Sequence, residues 1–139
     1  MMDEEEISES VVSMNTVVTG NHMGMAFLER LRLVNDLMQQ DPGQGDGPRV
    51  LFKVTDQVQH RTLVERFTVG RAHTSSLRID DSKLSREHME ITQEDRACTV
   101  RDLDSKNGIT VNNEAVTEKV LTPGDVITAG KTTFVYVED

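Results

Sequence analysis

The sequence predicts an all-β domain, a sandwich or a barrel, preceded by a flexible acidic tail and one amphipathic helix. Three features of the sequence predict this organisation. Short alternating apolar segments separated by turn residues fill residues 49–139, with no helical period between them. Apolar residues recur at every third or fourth position only in residues 25–40. Residues 1–24 are acidic and rich in Ser and Thr, and they follow neither period.

The first 48 residues contain three predicted segments. Residues 1–24 are too polar to bury a core, so we expect a flexible tail. Residues 25–40 are expected to form an amphipathic helix of about four turns, which is marginal alone and should therefore pack on the main domain or on a partner. Its apolar stripe consists of Phe27, Leu31, Val34 and Met38. Residues 41–48, DPGQGDGP, form a Gly/Pro linker that ends the helix.

Residues 49–139 carry the predicted strands. Each is a short run of apolar or alternating residues, and the runs are separated by turn signals such as Asn112-Asn113 and Gly130-Lys131. The predicted strands cover residues 50–54, 64–69, 77–79, 88–93, 98–103, 109–111, 126–128 and 132–137. Many short strands at this spacing, without intervening helices, indicate a β-sandwich or a barrel.

Composition and charge exclude several classes of function. The formal net charge is −9, of which residues 1–48 carry −7 and residues 49–139 carry −2. This acidic balance argues against nucleic-acid binding, which depends on Lys and Arg neutralising phosphates. No apolar run approaches the ~20 residues of a membrane span, and the opening Met-Met-Asp-Glu-Glu-Glu has the wrong charge for a secretory signal. Cys98 is the only cysteine, so no intrachain disulfide can form, and we expect a reducing, cytoplasmic location.

No group of residues predicts an enzyme, a metal site or a cofactor. Cys98 lies in an alternating apolar segment and is interpreted as a buried structural cysteine. The four histidines are scattered without the spacing of metal ligands. The segment 124–132 is superficially similar to a phosphate loop, but five residues instead of four separate its glycines and no helix follows.

Three short motifs carry the chemistry of a binding site. They are Gly70-Arg71, Ser85-Arg86-Glu87-His88 and Ser105-Lys106-Asn107-Gly108, each beside a predicted strand end. A guanidinium suits bidentate phosphate recognition, a hydroxyl can donate to a phosphate oxygen, and a carboxamide can bond a peptide main chain. Taken singly, each motif also has an ordinary explanation as a solvated arginine, a turn cap or a hairpin turn.

In this order and spacing, the motifs resemble a forkhead-associated (FHA) domain. The resemblance covers residues 49–139 and rests on FTVGRAHTSSLRIDDSKLSREHMEI, VRDLDSKNGITVN and LTPGDVITAG. It implies an antiparallel β-sandwich of about eleven strands, whose loops at one end bind phosphothreonine peptides.

The resemblance also implies roles for individual residues. The phosphate contacts of the family fall on Arg71 and Ser85, with Arg86 adjacent to them. Lys106 stands where many members carry Ser or Thr, and it can add a further cation. Asn107 corresponds to the asparagine that bonds the main chain of the ligand. The positions that support the site structurally are Gly70, His88 and Gly108.

The predicted function is therefore a phosphothreonine-peptide-binding signalling module without enzymatic activity. Thr16 and Thr19 in the acidic tail are candidate phosphorylation sites for a Ser/Thr kinase, and the phosphorylated tail can bind the pocket of its own chain or of a neighbouring copy. One alternative is the regulatory segment of a larger enzyme, such as a nucleotide cyclase, or of a regulator, which binds a phosphorylated partner in trans. A further alternative is a scaffold that binds without phosphate.

Overall fold

A computed structural model describes residues 21–41, 47–54 and 56–138 of the chain. These described residues form one helix, α1 (Asn21–Gln39), followed by eleven strands. These are β1 (Arg49–Val54), β2 (Gln57–Thr62), β3 (Arg66–Gly70), β4 (Leu77–Arg78), β5 (Met89–Glu94), β6 (Ala97–Asp102), β7 (Ile109–Val111), β8 (Glu114–Val116), β9 (Glu118–Val120), β10 (Val126–Ala129) and β11 (Thr132–Val137). The prediction of an all-β sandwich after one helix is confirmed.

The helix begins four residues before its predicted start. Gly24 was placed in the tail, but a glycine inside a helix costs only about 1 kcal/mol and is tolerated. The chain divides between Asn35 and Asp36 into two compact units. Most of the predicted flexible tail, residues 1–20, lies outside the described residues. The same is true of residues 42–46 of the predicted linker.

The last turn of α1 belongs to the second unit and is attached there to β1. Leu37 is fully buried, and the carboxylate of Asp36 lies 3.7 Å from Nζ of Lys53. Asp41, just after the helix, forms a buried ion pair with Arg49 at the start of β1. These contacts fix where the chain enters the sandwich.

The strands form two sheets that enclose the core. The six-stranded sheet has the order β2-β1-β11-β10-β7-β8, and the five-stranded sheet has the order β4-β3-β5-β6-β9. All paired strands are antiparallel except β3 and β4, which are parallel over two residues. Inward-facing residues of both sheets make one cluster, in which the rings of Phe52 and Phe134 lie 5.7 Å apart. Cys98 is buried in this cluster, as predicted.

The sequence pattern does not predict β2, β8 and β9. All three are edge strands, and β2, with the sequence QVQHRT, buries none of its residues fully. An edge strand needs no continuous apolar face, so the alternation that identifies central strands is weak in it. The turn Asn112-Asn113 between β7 and β8 was predicted, and both asparagines have positive φ, as a two-residue hairpin turn requires.

Three connections leave the five-stranded sheet at the same end. Met89 at the start of β5 pairs with Val69 of β3 on one side and with Asp102 at the end of β6 on the other. Because antiparallel neighbours run in opposite directions, the end of β3, the start of β5 and the end of β6 lie side by side. This end of the sandwich, called the loop rim below, carries the connections formed by residues 71–76, 79–88 and 103–108.

No helix within the described residues is long and apolar enough to cross a membrane.

Candidate functional site

The loop rim contains a cavity of about 260 Å³. It is formed by side chains and backbone of three connections that are far apart in the sequence. The lining residues are Arg71, Ser82, Lys83, Leu84, Ser85, Lys106 and Asn107.

Arg71 is held in place by the backbone of the facing connection. Its N–H donates to the carbonyl of Ser85 at 3.1 Å, and its Nε donates to the carbonyl of Leu84 at 2.6 Å. A guanidinium that is anchored through Nε keeps its two terminal nitrogens for an anion. The close approach depends on Gly70, since a Cβ there would lie 2.1 Å from the backbone oxygen of Arg86.

Ser85 forms one bond within its own connection and one to the 103–108 connection. Its N–H donates to Nδ1 of His88 at 2.9 Å, and its Oγ accepts the N–H of Lys106 at 3.0 Å. Since Nδ1 of His88 accepts a bond, the ring proton is on Nε2, which donates to the carbonyl of Gly108 at 2.8 Å. His88 is fully buried and therefore joins the two loops from beneath, without reaching the cavity. The Ser85 hydroxyl retains its own hydrogen as a donor.

Asn107 is oriented by a bond across the cavity. Its Nδ2 donates to the carbonyl of Lys83 at 2.8 Å, which leaves its Oδ1 and second amide hydrogen outside this bond. The turn that presents Asn107 is closed by Ser105, whose hydroxyl donates to Asp102 at 2.5 Å and accepts the N–H of Gly108 at 2.8 Å. Gly108 has a φ of 75°, a backbone conformation that favours glycine.

Asp81 is a buried residue of the 79–88 connection whose structural role the sequence analysis missed. Its Oδ1 accepts the N–H of Lys83 at 2.9 Å. Its Oδ2 accepts the N–H of Lys131 at 2.7 Å and the hydroxyl of Thr132 at 2.8 Å, so it connects the rim to the β10–β11 turn. Burial by itself would raise the pKa of Asp81, but the hydrogen bonds from Lys83, Lys131 and Thr132 outweigh it and hold the pKa below its ordinary value. Of these three hydrogen bonds, only the one to Lys83 joins residues that are close in the sequence. The sequence therefore indicated a turn that begins with an aspartate and gave no sign of the contact with the β10–β11 turn.

The structure brings most of the predicted site residues together. Arg71, Ser85, Lys106 and Asn107 line the one cavity, whereas the side chain of Arg86 is exposed and does not line it. The carbonyl of Arg86 instead accepts bonds from the 71–76 connection, so a phosphate contact by its guanidinium stays a prediction. Thr16 and Thr19 lie outside the described residues.

The cavity is strongly cationic. Arg71, Lys83 and Lys106 line it, and no carboxylate among the described residues does. Lys83 and Ser82 were not identified from the sequence, where they stand in an ordinary turn between two predicted strands. In the part of the chain that the structure describes, no three His, Cys, Asp or Glu side chains are placed to hold a metal ion.

Comparison with known proteins identifies the family to which this domain belongs. The family model described as the FHA domain matches residues 67–130, which include all three loop motifs. A structure solved for the analysis of phosphothreonine-dependent FHA domain interactions superposes with a TM-score of 0.63 at 30% identity, covering 67% of this chain and 97% of that one. The chain belongs to the FHA family.

Two curated FHA relatives are longer than the region they share with this chain. FHA domain-containing protein FhaA of Mycobacterium tuberculosis is 42% identical over 62 residues, which are 45% of this chain and 12% of that protein. The oxoglutarate dehydrogenase inhibitor of Corynebacterium diphtheriae is 38% identical over 80 residues, which are 56% of each chain. This FHA chain thus spans about half of the second relative and a small part of the first.

Proposed function

We propose that the sandwich binds a phosphothreonine-containing peptide in the cavity of the loop rim and acts as a signalling module rather than as an enzyme. The observation that carries this proposal is the convergence of Arg71, Ser85, Lys106 and Asn107 on one cavity, whose lining includes no carboxylate of the described residues. An anion is the ligand that such a surface favours, because cations and hydrogen-bond donors line it.

Three residues are suited to the phosphate. Arg71 offers the terminal nitrogens of a guanidinium already oriented by the Leu84 carbonyl, and Ser85 offers a hydroxyl hydrogen. Lys106 adds an ammonium group at the same cavity. Hydrogen bonds to charged groups contribute about 1.5–3 kcal/mol each, so two or three of them make binding depend on phosphorylation.

Asn107 is suited to the main chain of the ligand. The bond to Lys83 orients its amide, and its Oδ1 and second N–H form the acceptor and donor pair that a peptide backbone requires. The cavity volume of about 260 Å³ lies below the ≈300–1,000 Å³ typical of small-molecule sites. It therefore suits a single phosphorylated side chain, with the rest of the peptide lying across the rim.

A titration with a phosphothreonine peptide and its unphosphorylated counterpart tests this function. We expect binding of the phosphorylated peptide only, and a loss of at least roughly tenfold in Arg71→Ala, because one charged contact of about 1.5 kcal/mol or more is removed. Arg96→Ala is the matched control, since Arg96 is exposed in the β5–β6 turn at the opposite end of the sheet. Equal affinity for both peptides, or an equal loss in both variants, would contradict the proposal.

We propose the acidic tail as the source of the ligand. Thr16 and Thr19, once phosphorylated by a Ser/Thr kinase in the cytoplasm, bind the cavity of the same chain or of a neighbouring copy. Tethering raises the effective concentration of the tail toward the millimolar range, so even a weak motif is bound.

Kinase treatment of the whole chain tests the source. The hydrodynamic radius of the wild type should fall after phosphorylation, whereas a Thr16→Ala/Thr19→Ala variant and Arg71→Ala should not change. Dimers whose population rises with concentration would identify binding between copies. Compaction that persists in the double variant would exclude the tail as the ligand.

Binding in trans is the second candidate. The match to FhaA covers only 12% of that protein, so an FHA domain can be a small part of a longer chain. In that case this segment regulates an attached enzyme or regulator by binding a phosphorylated partner. A wild-type chain whose hydrodynamic radius and oligomeric state do not change after kinase treatment, but which binds a phosphothreonine peptide added in trans, would favour this candidate.

A further inference from the structure

The outer face of the five-stranded sheet carries a row of alternating charges. Arg66 of β3, Glu90 of β5, Arg101 of β6 and Glu118 of β9 follow one another across four neighbouring strands, in the order positive, negative, positive, negative. The register places Glu90 opposite Arg101 and Arg101 opposite Glu118. The Arg66 guanidinium reaches the same row, because its Nε donates to Glu90 at 2.7 Å.

The two ends of this row are exposed and keep bonding capacity. The side chains of Arg66 and Glu118 are 59% and 55% exposed, whereas Glu90 is buried between the two arginines. Arg66 uses only its Nε in the row, and Glu118 uses only Oε1, which accepts Nε of Arg101 at 3.1 Å. The terminal nitrogens of Arg66 and Oε2 of Glu118 therefore have no hydrogen-bond partner among the described residues.

The charge order makes the row complementary to a second copy of itself. When a second copy faces the sheet and is turned by 180° about an axis parallel to the strands, its row runs in the opposite order. Arg66 then faces Glu118 of the second copy, Glu118 faces Arg66, and the two central charges also meet opposite signs. A turn about an axis along the row would place like charges opposite each other, which is repulsive. The charges therefore select one of the two face-to-face arrangements, and that arrangement keeps the strands aligned, as in ordinary sheet packing.

Apolar surface lies at the matching places on this face. Val120 follows Glu118 by two residues and so shares its side of the sheet, and it is more than half exposed. An open depression of about 550 Å³ lies diagonally across the face, at the start of β3 and the end of β5, where the exposed Val64 lines it. The same two-fold turn brings Val120 of the second copy to this depression, and symmetry repeats the contact. Burial of these valines adds an apolar contribution that exposed ion pairs lack.

We infer that the outer face of the five-stranded sheet binds a second copy of this chain, through paired Arg66–Glu118 contacts and the two Val120 side chains. Four strands of about five residues form a face of roughly 15–20 Å in each direction. Such a face is smaller than the ≈800 Å² that each partner buries in a standard interface, so the dimer should be weak and should depend on concentration.

The arrangement also orients the two loop rims. Because the two-fold axis is parallel to the strands, both rims lie at the same end of the dimer. A ligand with two phosphothreonines can then bind both cavities at once and gain affinity by tethering. This consequence rests on the proposed function, whereas the dimer itself does not.

Sedimentation velocity of the whole chain, produced without a kinase, tests the dimer. The wild type should show a dimer fraction that rises between about 10 μM and 1 mM, as expected for an interface below the standard size, and that falls at high salt. Arg66→Glu and Glu118→Lys each place like charges opposite each other at both symmetric contacts, so each variant should dimerise at least roughly tenfold more weakly. Val120→Ser leaves the charges intact and should weaken the dimer severalfold.

An equimolar mixture of Arg66→Glu and Glu118→Lys separates a reciprocal contact from simple damage to the fold. In a mixed dimer one contact joins the two substituted residues and the other joins the two native residues, so both contacts are attractive. The mixture should therefore recover the dimer fraction of the wild type. Arg61→Glu is the matched control, since it makes the same charge change at an exposed residue of β2 in the other sheet, and it should dimerise as the wild type does.

Four results would each overturn the inference. They are a wild type that stays monomeric up to 1 mM, substituted chains that dimerise as strongly as the wild type, a mixture that stays monomeric, and an equal loss in Arg61→Glu. Far-ultraviolet circular dichroism checks that every variant is folded. None of these measurements uses a phosphopeptide, so a negative result leaves the proposed function unaffected.

Discussion

Replacing Asp81 by Asn tests whether this buried carboxylate holds the loop rim in place. The carboxylate accepts three hydrogen bonds, one at Oδ1 and two at Oδ2. An amide in either orientation turns at least one acceptor into a donor that faces another donor, and the remaining bonds lose their charge. One lost charged bond of about 1.5–3 kcal/mol, together with two weakened bonds, predicts a loss of about 2–4 kcal/mol in the free energy of unfolding.

The effect should depend on pH in a defined direction. Because the folded state lowers the pKa of Asp81, its stabilisation is present above the ordinary carboxyl pKa and is lost as the pH falls through the folded value. The stabilities of the wild type and Asp81→Asn should therefore differ at pH 7 and converge below about pH 4. Urea denaturation followed by far-ultraviolet circular dichroism measures this, since the chain has no Trp and one Tyr.

Asp80→Asn is the matched control for this substitution. Asp80 is the exposed neighbour of Asp81, and its replacement should change the stability by no more than about 0.5 kcal/mol. The reasoning is refuted if both variants lose the same stability, or if the deficit of Asp81→Asn is as large at acid pH as at neutral pH.

Two further substitutions test how the loops are joined. Gly70→Ala should destabilise the sandwich by about 1–3 kcal/mol and weaken phosphopeptide binding, because the added Cβ meets the backbone of Arg86. Gly108→Ala is the control and should cost only about 1 kcal/mol of backbone strain, because no atom lies near its added Cβ. Denaturation and phosphopeptide titration of both variants measure the difference. His88→Ala should lose about 2–4 kcal/mol of stability and also phosphopeptide affinity, since it removes the two ring bonds by which His88 holds the N–H of Ser85 and the carbonyl of Gly108. Ile91→Ala should lose similar stability, with little change in affinity under conditions where the protein stays folded. Equal affinity losses in His88→Ala and Ile91→Ala would show that His88 contributes only to stability.

The central strands could be predicted because the residues that they bury form recognisable apolar segments in the sequence. In β1 and β11 the residues facing the core are large and apolar, and Phe52 and Phe134 pair directly across the two strands. Leu51 and Val135 on the opposite face of these strands are buried as well, so each strand contains a short, nearly continuous apolar run, which marks a central strand in the sequence. The edge strands β2, β8 and β9 lack a second neighbour, and their partly exposed side chains leave little pattern to detect.

The three motifs of the site could be predicted from the sequence, but not every residue that lines the cavity could. Arg71, Ser85 and Asn107 are recognisable because their residue types and order resemble those of the family. Lys83 escaped prediction because its part in the cavity depends on a bond to Asn107, 24 residues away. Arg86 was expected beside the phosphate, but its side chain does not line the cavity.

The chain order of apolar and turn residues by itself determined an all-β domain after a helix, while the phosphate-binding role of the three loop motifs was predicted from their resemblance to the FHA family. Local patterning is enough for this, because strand alternation and turn chemistry are properties of neighbouring residues. Only the tertiary structure decided that the end of β3, the start of β5 and the end of β6 lie side by side. It also decided that Asp81 connects the rim to a turn 50 residues later and that Lys83 lines the cavity. These depend on which strands pair and in which register, and the hydrogen bonds that set them connect residues whose separation leaves no periodic signal in the sequence.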